Sequence, residues 1–177
     1  MKRRGFIFSA SALLLSGCGF ELRRLDSIPF SAIYIDAPDE NSLASNDWVF
    51  TRERVVAKKI RDALIAGGKT RVPDSPAQAE ATLKISQESR SKSILTLSGA
   101  GRVKEYRLNF KVVYSVTGKA GQEIVGTNSI ELSRDFTYDD SQLLAKSQEE
   151  KLLYRDMEDD AARQILRHLH GLKLSST

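Results

Sequence analysis

Between Val103 and Val116 apolar and polar residues alternate with the period of a β-strand. Tyr106, Leu108, Phe110, Val112, Tyr114 and Val116 share one face, and Glu105, Arg107, Asn109, Lys111 and Ser115 share the other. One side of the sheet is therefore core, and the opposite side is polar. Ala81 to about Leu97 alternates weakly, with Leu83 and Ile85 on one side, and Ile124 to Phe136 returns with Ile130, Leu132 and Phe136 in phase. Thr117-Gly118-Lys119-Ala120-Gly121 supplies a glycine-bearing hairpin turn between the last two of these segments. Earlier in the chain, Ala32 to Asp36 is a β-branched and aromatic run bounded by Pro29 and Pro38, which predicts a short strand.

Two segments carry the helical period. In the first, Val56, Ile60, Ala63, Leu64 and Gly67 fall on one face; Asn46 or Asp47 is the expected cap, Ala66 the last residue, and Gly67-Gly68 the terminator. The second runs from about Asp140 to His170, opened by Asp139 with Gln142 three residues on, a variant of the capping box. Its buried stripe is Leu153, Met157, Ala161, Ile165, Leu169 and Leu172, and Glu158-Asp159-Asp160 reads as a solvated acidic run. The order strand, helix, three strands, helix predicts an α+β two-layer sandwich, with two helices packed on one face of a four-stranded mixed sheet. The first strand enters through a helical crossover and can run parallel to its neighbour, whereas hairpins make the last three an antiparallel meander.

The N-terminus changes the picture. Met1-Lys2-Arg3-Arg4 is a basic stretch, and Gly5 to Leu15 is an apolar run of the length export signals use, shorter than the ~20 residues a spanning helix needs. Leu15-Ser16-Gly17-Cys18 then resembles the lipobox of bacterial lipoproteins, and Cys18 is the single cysteine of the chain. An odd cysteine in an exported protein pairs between chains, stays free or is consumed, and lipidation consumes it. The expected organisation is a signal peptide over 1–17, a lipidated tether over 18–30, one α+β domain over 31–172 and a C-terminal tail over 173–177. No cofactor is expected beyond N-acyl and S-diacylglycerol lipid on Cys18. Gly19, where an Asp marks inner-membrane retention in such lipoproteins, resembles an outer-membrane address. Arg3-Arg4-Gly5-Phe6-Ile7 also looks like a twin-arginine signal, so the export route stays open.

The formal net charge of +4 belongs mostly to the signal. Removing residues 1–17 takes away Lys2, Arg3 and Arg4 and no acid, leaving 24 basic against 23 acidic residues. That balance disfavours nucleic-acid binding, which wants a concentrated basic face. Metal chemistry is disfavoured as well: the two histidines, His168 and His170, point apart on a helix. The chain has no nucleophile elbow and no P-loop; Ser98-Gly99-Ala100-Gly101-Arg102 lies between strands with no helix after it. Asp139-Asp140 beside Asp135 is a conceivable acid–base pair that capping explains more simply. No catalytic and no metal-binding residue is assigned, and a binding or scaffold protein is expected.

Several stretches are more specific than a generic sandwich requires. They are Cys18-Gly19-Phe20-Glu21-Leu22-Arg23, Gly101-Arg102-Val103-Lys104-Glu105-Tyr106 and Arg134-Asp135-Phe136-Thr137-Tyr138-Asp139-Asp140. In the last helix Leu144-Ala145-Lys146, Glu149-Glu150, Leu152 to Met157 and Ala161 to Arg167 follow. In that order they resemble the LPS-assembly lipoprotein family, LptE or rare lipoprotein B, from the lipobox to about Leu169. The resemblance implies a periplasm-facing lipoprotein anchored in the outer membrane. It also implies a partnership with the LptD-type β-barrel as plug and assembly aid, and binding of lipopolysaccharide on its way to the surface. Lys146 matches the lysine of the family's L-A-K motif, which is associated with lipopolysaccharide binding. A second basic residue is expected near the tip of the hairpin between the second and third strands, where Arg102 and Lys104 are candidates by proximity. The alternative is an envelope scaffold lipoprotein that does not bind glycolipid; an enzyme ranks third.

Overall fold

The structure, a computed structural model, describes residues 28–37 and 54–172. The chain forms β1 (Ile33–Asp36), α1 (Val55–Gly67), β2 (Ala81–Leu97), β3 (Val103–Gly118), β4 (Glu123–Thr137) and α2 (Leu143–Gly171), with short 3-10 turns at Pro76–Gln78 and Asp140–Gln142. The sheet order is β1-β2-β3-β4, with β1 parallel to β2 and the other pairs antiparallel. This is the α+β sandwich with a helical crossover that the pattern predicts. Both hairpins close on a glycine in the left-handed region, Gly101 at φ +75° and Gly121 at φ +81°, which a side chain would strain.

The core follows the β3 alternation. Leu108, Phe110, Val112, Tyr114 and Val116 are all buried, under Met157, Ala161, Ile165 and Leu169 of α2 and Val56, Ile60 and Leu64 of α1. Leu153, Leu172 and Tyr106 are partly buried at its margins. Ile28 and Phe30, at the end of the expected tether, also join this core, and the Thr70 hydroxyl donates to the Phe30 carbonyl at 3.2 Å. Cys18, residues 38–53 and the tail 173–177 lie outside the described residues.

Three expectations need correction. First, α1 begins at Val55 with Arg54 at its N-cap position, whereas the expected caps Asn46 and Asp47 lie outside the described residues. Its first amides are satisfied instead from the sheet: Val55 and Val56 donate to the two carboxylate oxygens of Glu88 at 3.2 and 3.3 Å. A carboxylate at the positive end of the helix dipole is favourably placed there. Second, the Asp139 side chain does cap, but it accepts from Ser141 N–H at 2.9 Å and Ser141 Oγ at 2.7 Å, and the first turn tightens to 3-10 before α2 proper. Third, the acidic run is buried at Glu158 and ion-paired along its length. Glu158 is 3% exposed and pairs with Arg90 of β2, with Lys59 of α1 at 4.0 Å; Asp159 pairs with Lys59; Asp160 meets Arg134 of β4 at 2.7 Å and Arg163 at 2.6 Å. Three consecutive acids tie α2 to α1, β2 and β4.

A bulge explains the weak alternation of β2. Ile85 pairs with Tyr114 and Gln87 with Val113, which leaves Ser86 as an extra residue. Leu83 and Ile85 face the core before it; after it the even positions Glu88, Arg90, Lys92 and Ile94 take that face. Arg90 and Lys92 lie under α2, where Lys92 meets Glu150 at 2.8 Å and Arg90 lies 5.2 Å from the centre of the Tyr154 ring.

Candidate functional site

Lys146 sits one turn into α2, and Lys104 is the second residue of β3. The backbone joins β3 to the exit of β4 here, because Tyr138 N–H donates to the Lys104 carbonyl at 2.8 Å. Thr96, Lys104, Glu105, Thr137, Tyr138, Asp139, Gln142 and Lys146 line an open cleft of about 510 Å³ at this end of the sheet. Lys146 Nζ donates to Glu149 at 2.8 Å and to Thr137 Oγ1 at 3.2 Å, and its side chain is 15% exposed. It is packed among its neighbours, unlike an ordinary solvated lysine. The hydrogen bonds from Ser141 hold the Asp139 carboxyl below the usual carboxylate range, and Lys104 and Lys146 add to this by their charge.

The structure thus brings two of the three candidate basic residues to one cleft. Arg102 is not among its lining residues. It closes the hairpin turn, where Ser98 N–H donates to its carbonyl at 2.7 Å and its own N–H donates to Ser98 Oγ at 3.1 Å. Its exposed side chain has no partner among the described residues. Sequence reasoning missed Lys92, whose ammonium lies 4.8 Å from the centre of the Tyr106 ring. That ring packs edge-on against Tyr138 of the cleft at 5.1 Å and stacks on Phe136 at 5.9 Å. The even spacing of Arg90 and Lys92 was the available signal, hidden by the bulge.

The face of the sheet away from the helices is largely polar, with Val113 an apolar residue among its positions. Ser89, Ser91, Asn109, Lys111, Glu131 and Ser133 border a shallow groove of about 350 Å³. Cross-strand pairs crop up along it: Lys111 with Glu131 at 2.7 Å, and Arg107 with both oxygens of Asp135 at 2.7 and 2.8 Å. Asp135 is therefore bound in an ion pair and Asp139 in a cap. His168 Nδ1 shares a hydrogen bond of 2.6 Å with the Tyr114 hydroxyl, whose ionisation burial pushes up. Among the described residues no group of three His, Cys, Asp or Glu side chains could hold a metal ion, and no helix is long and apolar enough to cross a membrane.

The fold is an α+β sandwich with one buried and one largely polar sheet face, and at the hairpin end a small cleft lined by two lysines and two carboxylates, Glu105 and Asp139. The LptE lipopolysaccharide-assembly family matches residues 30–169, and the chain belongs to that family. It is 22% identical over 173 residues to the LPS-assembly lipoprotein LptE of Pectobacterium atrosepticum, covering 96% of this chain and 86% of that protein. The solution structure of an uncharacterized lipoprotein B from Nitrosomonas europaea is similar at 31% identity and a TM-score of 0.68, covering 86% of this chain and 90% of that one. The crystal structure of the rare lipoprotein B from Shewanella oneidensis is similar at 27% identity and a TM-score of 0.62, covering 78% and 92%. The protein is a lipoprotein-family member with a role in lipopolysaccharide assembly in the bacterial envelope.

Proposed function

We propose that the chain is a non-enzymatic lipoprotein of lipopolysaccharide export, held at the outer membrane by lipid on Cys18 and facing the periplasm. It partners an LptD-type β-barrel as plug and assembly aid, and binds lipopolysaccharide at the cleft of Lys104 and Lys146. The observation that carries the binding role is the meeting of these two lysines in one open cleft, with the lysine of the L-A-K motif half of the pair. Ammonium groups there suit lipid A phosphates through charge-assisted hydrogen bonds. The polar sheet face supports the plug role, since the lumen of such barrels is polar.

A scaffold that makes no glycolipid contact is favoured by one observation, the ion pair Lys146 already makes with Glu149. In the proposed function the phosphate replaces Glu149 as partner. The test is retention of lipopolysaccharide on the immobilised mature protein, for the wild type and for Lys104→Asp/Lys146→Asp, with circular dichroism as folding control. Loss of retention in a folded variant that still co-purifies with the barrel supports the cleft. Unchanged retention removes both lysines, and a wild type that retains no lipopolysaccharide while co-purifying with the barrel establishes the scaffold.

A further inference from the structure

The two edges of the sheet are protected to different degrees. β1 is four residues long and lies between Pro29 and Pro38, so that edge offers little backbone to a neighbour. β4 is fifteen residues long and holds no proline and no lysine, the residues that commonly keep an edge strand from pairing. The sheet ends at β4, and no described strand lies beyond it. Its first residues are irregular, with register shifts against β3 before Asn128, but from Asn128 to Thr137 each residue has its β3 partner in turn. That stretch is an unbroken edge.

The register fixes which backbone groups point outward. Tyr138 N–H donates to the Lys104 carbonyl at 2.8 Å, and bonded pairs alternate along an antiparallel ladder, so the even-numbered residues of this stretch bond to β3. The N–H and C=O groups of Ser129, Glu131, Ser133 and Asp135 therefore face away from the sheet. One of them is already engaged: the Ser133 carbonyl accepts from Arg134 Nη1 at 2.9 Å, which leaves its second lone pair. The side chains decide what can cover this edge. When two copies are set antiparallel about Leu132, Glu131 stands opposite Ser133 and Asp135 opposite Ser129, so each carboxylate meets a hydroxyl. Arg134 then stands opposite Ile130. Neighbouring registers are worse: centring on Glu131 sets that acid against itself, centring on Ser133 sets Glu131 against Asp135, and centring on Arg134 opposes two guanidinium groups.

We infer that two copies of this chain pair edge to edge through β4, antiparallel and centred on Leu132, joining their sheets into one. The contact is isologous, since the same strand serves both copies. On the polar face Glu131 and Asp135 keep their pairs with Lys111 and Arg107, and the serines of the second copy add hydrogen bonds without adding charge. On the helix side the two Leu132 side chains, each partly buried in its own core, meet across the axis. The inference concerns the free chain and does not depend on the lipopolysaccharide-binding reading.

Sedimentation of the full mature protein in detergent over a range of concentrations tests the association, with Ser133→Pro in the same detergent as comparison. That change deletes one outward N–H and leaves the β3–β4 ladder whole. The wild type is expected to dimerise with concentration, and Ser133→Pro, folded by circular dichroism, to do so roughly tenfold more weakly or not at all. Cross-linking tests the register. The central pair is of the non-hydrogen-bonded kind, with Cα atoms about 4.5 Å apart, a span a disulfide bridges, so Leu132→Cys should link two copies under mild oxidation. Asn128→Cys, on the same face but far from the axis, should not, and the parent chain is the blank for Cys18. A wild type that stays monomeric overturns the inference, as does a dimer that folded Ser133→Pro leaves equally tight. Linking through Asn128→Cys as readily as through Leu132→Cys also overturns it, and this pair of variants decides the matter should Ser133→Pro fail to fold.

Discussion

Arg90 of β2 reaches up from the sheet to Glu158, a carboxylate buried in the middle of α2. The same guanidinium lies over the Tyr154 ring, and the Tyr154 hydroxyl donates to the Ser91 carbonyl at 2.8 Å, so one strand and one helix are joined by charge, ring and hydrogen bond together. Taking one member from such a pair leaves the other charge poorly compensated in a dry site. Lys59 at 4.0 Å compensates Glu158 only in part. Because the Arg90 side chain is 38% exposed, solvent screens some of the loss. Arg90→Ala is expected to destabilise the fold by roughly 2–3 kcal/mol in urea unfolding, and Arg90→Met/Glu158→Gln by less than the sum of the single changes. Additive losses would show that the two side chains do not interact.

Glu88 gives the fold a pH response of its own. Burial pushes its carboxyl up to about 7, and the nearby Glu158 adds to this; the amide hydrogen bonds from Val55 and Val56 and the charge of Arg90 oppose it. A carboxyl raised above its unfolded value binds a proton more tightly when folded. Its contribution is therefore complete below its ordinary value near 4.5 and is lost as pH rises through about 7. Between pH 7.5 and pH 5 the wild type should gain on the order of 2 kcal/mol from this group relative to Glu88→Gln. Thermal unfolding of both proteins across that window measures it, and parallel profiles would contradict the assignment.

The two faces of β3 should differ sharply in tolerance. Phe110 is 1% exposed and sits at the centre of the core, so Phe110→Ala is expected to cost ~3–5 kcal/mol through the cavity it leaves. Its neighbour Lys111 points to the polar face, where its pair with Glu131 is open to water, and Lys111→Ala should stay within ~0.5 kcal/mol. Denaturant midpoints of the two variants check the contrast.

The anchor has its own experiment. Cys18→Ala is expected to abolish incorporation of radioactive palmitate and to release the protein from the outer-membrane fraction. Each buried methylene of an acyl chain contributes ~0.8 kcal/mol, so the several chains proposed on Cys18 would suffice for a firm anchor. Continued labelling of the variant would show that Cys18 is not the acylated residue.

Much of the site was legible without coordinates because its residues are local. The L-A-K triplet marks Lys146 within a single helical turn, and Lys104 is two residues from the hairpin turn that Gly101 announces. That Lys104 and not Arg102 shares the cleft with Lys146 depends on where β3 meets the exit of β4, a long-range register that no local spacing encodes. The same reason hid the role of Glu88 at the start of α1: it lies more than thirty residues from the amides it satisfies.

The sequence by itself determined the element order and the buried face of β3, and it carried the expectation of an export signal and of lipid on Cys18, since each rests on composition or on a period of two or 3.6 residues. Only the tertiary structure decided the phase of outer β2, because a one-residue bulge at Ser86 exchanges the faces of the residues from Gln87 to Ile94. It likewise decided the fate of Glu158, Asp159 and Asp160. Consecutive acids on a helix read as solvated until other elements place Arg90, Lys59 and Arg134 against them, and a charge is buried only where its partner comes from elsewhere in the chain.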